Sequence, residues 1–333
     1  MDVSDIGEFG LIERLRAALP PMSGSVAIGI GDDAAAWTAG DAFALATTDT
    51  MVAGVHFLPD AVAWRDVGWK ALAVNVSDVA AMGGTPSVAL VTLCLPPSTR
   101  VDAVDELYAG IAECARAYEI DVAGGDVVSA PVLSITVALY GTAERRADGT
   151  PRFLRRDAAS PGDAIAVTAS LGGSAGGLRA LAEHATGPAA TALIARHMRP
   201  RPRLDAGRAA LAAGVRCAID ISDGLVQDLG HVCDASAVGA MVELPSVPLD
   251  AALVELFPSD ARMLAVSGGE DYELILVAPD EMLTAIGAAL GTPLAIIGRI
   301  TEGRGVRLLD DKGAEVDLAA GGWDHLKRGR APA

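Results

Sequence analysis

Seven aspartates in this chain interrupt or end apolar segments, each beside glycine, serine or threonine. They are Asp32 and Asp33 in GIGDDAA, Asp49 in ATTDT, Asp78 in NVSDVAAMGG, Asp126 in AGGDVV, and Asp220 and Asp223 in AIDISDG. An apolar segment delivers such a residue to the edge of a core, where a carboxylate is costly unless it is paired or binds a metal. Lysine and arginine are almost absent from these segments. If the aspartates converge, something other than nearby side chains must neutralise them, and hard divalent cations with oxygen ligands do so. Magnesium fits best, because short Asp beside small residues allows close approach while leaving positions for water and substrate phosphates.

Each motif also has a plainer reading. Ser222 and Asp223, ahead of Leu225, Leu229 and Val232, make a good helix N-terminus with Ser as the cap. Asp32-Asp33 and Gly125-Asp126 fit turns. Asp78 resists this treatment, because with Asn75 it forms an i, i+3 polar pair in an otherwise apolar helix. It is the recurrence of the pattern that favours one shared site.

Mixed α and β structure is expected throughout. Strands are predicted over 26–30, 43–48, 88–95 and 132–140, with helices over 64–82 and 101–118, the first stopped by Gly83-Gly84. Between 144 and 162 the composition turns to Arg, Gly and Pro, which marks a domain boundary. Beyond it, strands are predicted over 164–169, 215–219, 240–244, 272–277 and 294–300, with a helix near 175–184 and others between. The 333 residues suffice for two domains, and 51% hydrophobic content supplies a core for each.

A formal net charge of −17 disfavours nucleic acid and anionic membrane surfaces as partners. No run approaches the ~18 apolar residues of a membrane span, and MDVSDIGEFG lacks the order of a signal peptide. A cytoplasmic location is expected. Cys94, Cys114, Cys217 and Cys233 lie far apart, so buried free thiols are expected in place of disulfides or a zinc site. Only Lys70, Lys312 and Lys327 are lysines, which disfavours lysine-centred covalent chemistry. There is no G-x-x-x-x-G-K-[ST] loop, no protein-kinase signature, and the Gly29-x-Gly31 pair runs into Asp-Asp, away from a dinucleotide fingerprint. The glycine-rich stretch LGGSAGG (171–177) opens a predicted helix, where its N–H groups either meet phosphate or serve close packing.

Taken in order, GEFGLI, GIGDDAA, TTDTMVAGVHF, KALAVNVSDVAAMGG, AGGD, RPRPR, IDISDGL, SGGEDYEL and GWDH resemble the thiamine-monophosphate kinase family across nearly the whole chain. That family belongs to the aminoimidazole ribonucleotide synthetase superfamily. The resemblance implies an α/β (α+β) fold in two domains: residues 1–145 bind ATP and magnesium and dimerise through their sheet, and residues 146–333 complete the nucleotide and substrate site. It implies a homodimer that uses ATP and several Mg2+ ions to phosphorylate thiamine monophosphate.

Carried over by motif, Asp33, Thr47, Thr48, Asp49, Asp78, Asp126, Asp220 and Asp223 correspond to magnesium ligands. Tyr108, Gly125, Asp126, Arg156 and Ser222 correspond to ATP contacts, and His56, Glu270 and Trp323 to contacts with thiamine monophosphate. Local alternatives stay open: a solvated Arg156, a loop role for His56, a turn at Glu270, and packing of Trp323 against its own domain. A phosphate acceptor, with its second pKa near ~6, is already largely ionised and needs no general base. Direct in-line transfer follows. The rivals are another superfamily enzyme, such as a selenophosphate synthetase, and a non-catalytic nucleotide-binding protein; the former normally uses an N-terminal Cys with a nearby Lys, and neither precedes Asp32.

Overall fold

The computed structural model describes residues 2–145 and 150–317. The helix α1 (Val3–Ala18), kinked at Gly7, opens the chain. A first sheet follows, made of β1 (Val26–Ile28), β2 (Ala35–Ala39), β3 (Ala42–Val52), β4 (Thr85–Leu95), β5 (Asp121–Ser129), β6 (Ser134–Arg145) and β7 (Pro151–Arg152). Its order is β1-β2-β3-β6-β4-β5, with β7 on β6. The β4 and β5 strands run parallel and are joined by α3 (Val101–Ala117), as parallel neighbours require a crossover. Between β3 and β4 the chain forms α2 (Trp64–Ala81), which lies on the sheet and carries α3 against its flank.

The second half alternates strands and helices: β8 (Ala164–Val167), α4 (Gly173–Ala182), α5 (Pro188–Met198), α6 (Leu204–Ala212), β9 (Cys217–Asp220), α7 (Leu225–Ser236), β10 (Gly239–Glu243), α8 (Ala251–Leu256) and α9 (Ala261–Ser267). It closes with β11 (Leu274–Ala278), α10 (Asp280–Leu290), β12 (Ala295–Thr301), β13 (Gly305–Leu309) and β14 (Glu315–Val316). The second sheet is ordered β14-β13-β10-β12-β8-β11-β9. This is the expected mixed α/β architecture with one sheet in each half.

The two halves share a core. A helix that is apolar nearly all round belongs in an interior, and 13 of the 18 residues of α2 are buried. One side of α2 faces β3 and β6, and the other faces α5, α6 and β9. Leu72, Val76 and Val79 accordingly join Leu211, Val215, Ala218 and Leu274 in one hydrophobic cluster. The approach of α6 is close enough that a Cβ on Gly207 would stand 2.0 Å from the Ala80 carbonyl oxygen, so only glycine fits there. The RPRPR segment ties the halves at the surface. Arg199 pairs with Asp66 at 3.0 Å and Glu113 at 2.7 Å while covering the Trp69 ring, and the Trp69 indole donates to the Pro200 carbonyl at 2.8 Å.

Several elements depart from expectation. The glycine-rich DVAGGDVVS, read as a turn around Gly125-Asp126, is the edge strand β5, exposed along its whole length; two glycines and a lack of alternation hide it. Both α1 and β2 escaped the pattern as well. The third strand runs on to Val52, so Asp49 lies within it and does not end it. The predicted stop of α2 holds, with Gly83 at φ 67°. Cys114, Cys217 and Cys233 are buried free thiols as expected, and Cys94 is half-buried.

Candidate active site

The α2 helix organises the site because its polar residues look two ways. At about 100° per residue, Lys70 and Ser77 share one stripe, with Asn75 and Asp78 on an adjoining one. Toward the first sheet, Asp78 accepts a short hydrogen bond from the Thr47 hydroxyl, and Asn75 Oδ1 accepts from the Asp49 backbone N–H at 3.1 Å. Toward the second sheet, Ser77 Oγ donates to Asp220 Oδ2 at 2.6 Å, and Lys70 Nζ stands 2.9 Å from Glu270 Oε1. Strand alternation puts Thr47 and Asp49 on the inner face of β3.

The result is a cluster of carboxylates. One oxygen from each of Asp33, Asp78 and Asp220 lies within 4.8 Å of the others. Burial, followed by the neighbouring charges of Asp49, Asp220 and Asp33, holds Asp78 well above the usual carboxylate range. Asp220 is pushed up to about 8, by burial first and Asp33 next. Asp32, beside the cluster, rises to about 7 through burial and Asp33. Asp33 Oδ2 is buried without a hydrogen-bond partner. An orphaned carboxylate oxygen, two carboxyls driven toward protonation and hydroxyls at their flanks fit an oxygen-ligated divalent cation.

One cation does reach this cluster from far along the chain. Arg156, in the short turn after β7, donates to Asp33 Oδ1 at 2.5 Å and lies 4.0 Å from Asp32. This corrects the expectation that side chains leave the aspartates unneutralised. It also overturns the solvated reading, because the Arg156 side chain is only 22% exposed.

Two laced segments form the C-terminal wall. The N–H groups of Ser222, Asp223 and Gly224 all donate to Asp228 Oδ2 at 3.0 Å, and α7 begins only at Leu225. Ser222 is therefore not the helix cap. Asp228 takes the N-terminal anion role instead, which leaves the Ser222 and Asp223 side chains ahead of the helix. The Glu270 N–H donates to the Ser222 carbonyl at 2.8 Å and the Tyr272 N–H to Ile221 at 2.9 Å, holding Glu270 and Tyr272 at φ 65° and 52°. Such backbone is strained in non-glycine residues and persists where the surroundings impose it. The LGGSAGG loop is also committed internally, since its Gly172 and Ser174 N–H groups donate to Asp271 at 2.6 and 3.0 Å. Those donors, one reading of which was phosphate binding, hold the half-buried Asp271 carboxylate.

His56 follows β3, with its Nδ1 accepting from the Val52 N–H at 2.9 Å, so its proton when neutral sits on Nε2. It is near enough to Glu270 to bear on that carboxylate.

Other predicted residues do not join the cluster in one chain. Alternation turns the exposed Thr48 to the opposite face from Thr47 and Asp49. Asp49, Val137, Val91 and Gly125 face one another in consecutive strands, which puts Gly125 three strand spacings, about 14 Å, from Asp49. Asp126 projects from the other face and accepts from the Val127 N–H at 2.9 Å. Tyr108 lies on α3, 38% exposed. Trp323 lies outside the described residues.

Sequence reasoning missed Lys70, Asp228 and His197. A lysine amid the apolar KALAVNVSD was a usable signal for the first. The others look like ordinary helix and turn residues until folded.

Comparison with known proteins agrees with this architecture. Residues 31–143 match AIR synthase related protein, N-terminal domain, and residues 160–311 match AIR synthase related protein, C-terminal domain. The thiamine-monophosphate kinase of Escherichia coli (strain K12) is 39% identical, covering 96% of this chain and 98% of the relative. That of Bacillus subtilis (strain 168) is 36% identical over 96% of this chain and 99% of its own. Among solved structures, AaThiL complexed with AMPPCP and TMP superposes with a TM-score of 0.86 at 35% identity, covering 98% of this chain and 99% of that one. A carboxylate cluster assembled between two such domains, with thiamine-monophosphate kinases matching over nearly the whole chain, leads to one conclusion: the chain belongs to the AIR synthase related proteins and, among them, to the thiamine-monophosphate kinase family.

Proposed function

We infer that the chain transfers the γ-phosphoryl group of ATP to thiamine monophosphate, producing thiamine diphosphate. The observation that carries this reading is the convergence of Asp33, Asp78 and Asp220 between the two sheets, in a chain that superposes on a relative complexed with AMPPCP and TMP. Asp33, Asp49, Asp78 and Asp220 would hold Mg2+, with Thr47 beside Asp78 and Asp223 at the rim. When bound, the ions would screen repulsion between donor and acceptor phosphates and align them.

The chain's own residues supply position. Arg156 fixes Asp33, Thr47 and Ser77 orient Asp78 and Asp220, and the laced segments at 220–224 and 268–273 carry Ser222 to the nucleotide and Glu270 to the substrate. His56, near Glu270, is the second substrate contact. The acceptor oxygen is largely ionised near neutral pH, so no side chain need take its proton, and transfer is direct.

We also propose a homodimer built on the first sheet, with the domain division at 145/146. The exposed edge strand β5 carries Val122, Val127 and Val128, next to exposed Leu90 and Tyr140, and such an edge invites pairing or cover. Gly125 and Asp126 would then act at a site shared between subunits, with Tyr108 as a further ATP contact. The absence, among the described residues, of a helix long and apolar enough to cross a membrane, together with free cysteines, supports a cytoplasmic enzyme.

Incubation with ATP, magnesium and thiamine monophosphate tests the reaction. Thiamine diphosphate should form, and none above a no-enzyme control would leave the non-catalytic rival standing. A Val127→Glu variant should sediment as a monomer; an unchanged oligomer would remove β5 from the interface.

A further inference from the structure

We propose that Lys70 is a positioning residue for substrate recognition: reaching across from α2, it fixes the Glu270 carboxylate as an ionised acceptor turned toward the acceptor substrate. The proposal rests on the reading that Glu270 contacts thiamine monophosphate.

The geometry is that of a carboxylate held from behind. Lys70 is 1% exposed, with its Nζ 2.9 Å from Glu270 Oε1. Among the described residues that ammonium has no other oxygen partner. His197, on α5, stands 3.4 Å from the second oxygen through Nδ1, and the same nitrogen lies 2.9 Å from Ser174 Oγ. Both supports are buried, whereas Glu270 keeps 28% of its side chain exposed. The backbone of Glu270, at φ 65° with its N–H on the Ser222 carbonyl, fixes the point from which that side chain projects. The carboxylate therefore has one open side.

The charges explain why a lysine stands there. Burial alone would raise Glu270, yet Lys70, with His197 and His56, outweighs it and holds the carboxyl below its ordinary value. Burial and then the neighbouring Lys70 push His197 down to about 4, so near neutral pH that ring stands beside Glu270 uncharged. A neutral group at position 70 would leave the half-buried Glu270 without its ion-pair partner, free to take a proton or to swing. Either change spoils an acceptor meant for an N–H donor, such as the amino group of a nitrogen heterocycle. Because Lys70 comes from one half of the molecule and Glu270 from the other, correct docking of the halves sets this acceptor.

The test is steady-state kinetics of the wild type, K70M, E270Q and K70M/E270Q. E270Q should raise KM for thiamine monophosphate at least 10-fold while KM for ATP stays within twofold. K70M should do the same, and the double variant should be no worse than E270Q alone, because Lys70 acts only through Glu270. The double variant, with both charges removed and shapes nearly kept, serves as the reading if K70M fails to fold. Normal E270Q kinetics would sink the substrate-contact reading itself. An impaired E270Q beside a normal K70M, a double variant whose losses multiply, or a K70M effect equal on both substrates would overturn the positioning role alone.

Discussion

Replacing Asp220 with Asn should stabilise the metal-free protein at alkaline pH and abolish its response to magnesium. Asp220 is 2% exposed, and it shares a space with Asp33 and Asp78 in which one oxygen of each lies within 4.8 Å of the others. Folding moves its pKa from 3.8 to about 8. Between those values the folded chain holds a proton that the unfolded chain has released, so stability falls as pH rises. The slope for one such group is about 1.4 kcal/mol per pH unit. From pH 6 to 8 the metal-free wild type should therefore lose roughly 2–3 kcal/mol, shared with Asp78 because the carboxyls titrate as a unit.

Asn keeps the shape and an acceptor for Ser77 but carries no charge, so the variant should lose much less over that range. In EDTA at pH 8 it should melt about 3 °C above the wild type. With magnesium at 100 times its dissociation constant the wild type should gain about 2.7 kcal/mol and overtake the variant. Urea or thermal unfolding at pH 6 and 8, with and without metal, measures all of this. A metal-free wild type equally stable at both pH values, or D220N the weaker protein at pH 8 in EDTA, would refute the crowded-carboxylate argument.

Asp49→Asn or Asp78→Asn should remove turnover and weaken magnesium-dependent nucleotide binding with the circular dichroism unchanged; near-normal turnover would misplace the metal cluster. No labelled protein should accumulate from γ-labelled ATP, and a trapped phosphoenzyme would end the direct-transfer mechanism. Gly207→Val puts a Cβ 2.0 Å from the Ala80 carbonyl oxygen and should cost about 3 kcal/mol in urea unfolding; a loss under 1 kcal/mol would show that α6 and α2 part easily.

Much of the plan was legible from local pattern. Periodicity marked α2 and α3, Gly83 marked the end of α2, and β-branched runs located the central strands of both sheets. β5 was not legible, because an exposed edge strand needs no alternation and tolerates Gly125 beside Asp126. The Ser222 cap was misread for a related reason. A capping sequence is a local statement, whereas the N–H groups at 222–224 were taken by Asp228, whose carboxylate becomes available only once α7 has formed.

The linear order of residues determined that carboxylates recur at the ends and centres of apolar segments, that lysine is scarce, and that a lone lysine sits within an apolar helix. Burial of α2 between two sheets was decided only by the tertiary structure. That burial turns Asp78 and Ser77 toward aspartates from opposite halves, brings Arg156 onto Asp33 from 123 positions away, and sets Lys70 behind Glu270. The physical reason is that charge pairing and carboxylate crowding depend on distances of a few ångströms between residues far apart in the chain. The seven aspartates accordingly resolve into separate places: Asp33, Asp78 and Asp220 crowd together with Asp32 and Asp49 beside them, Asp223 groups with Asp228 and His231, and Asp126 lies on an exposed edge.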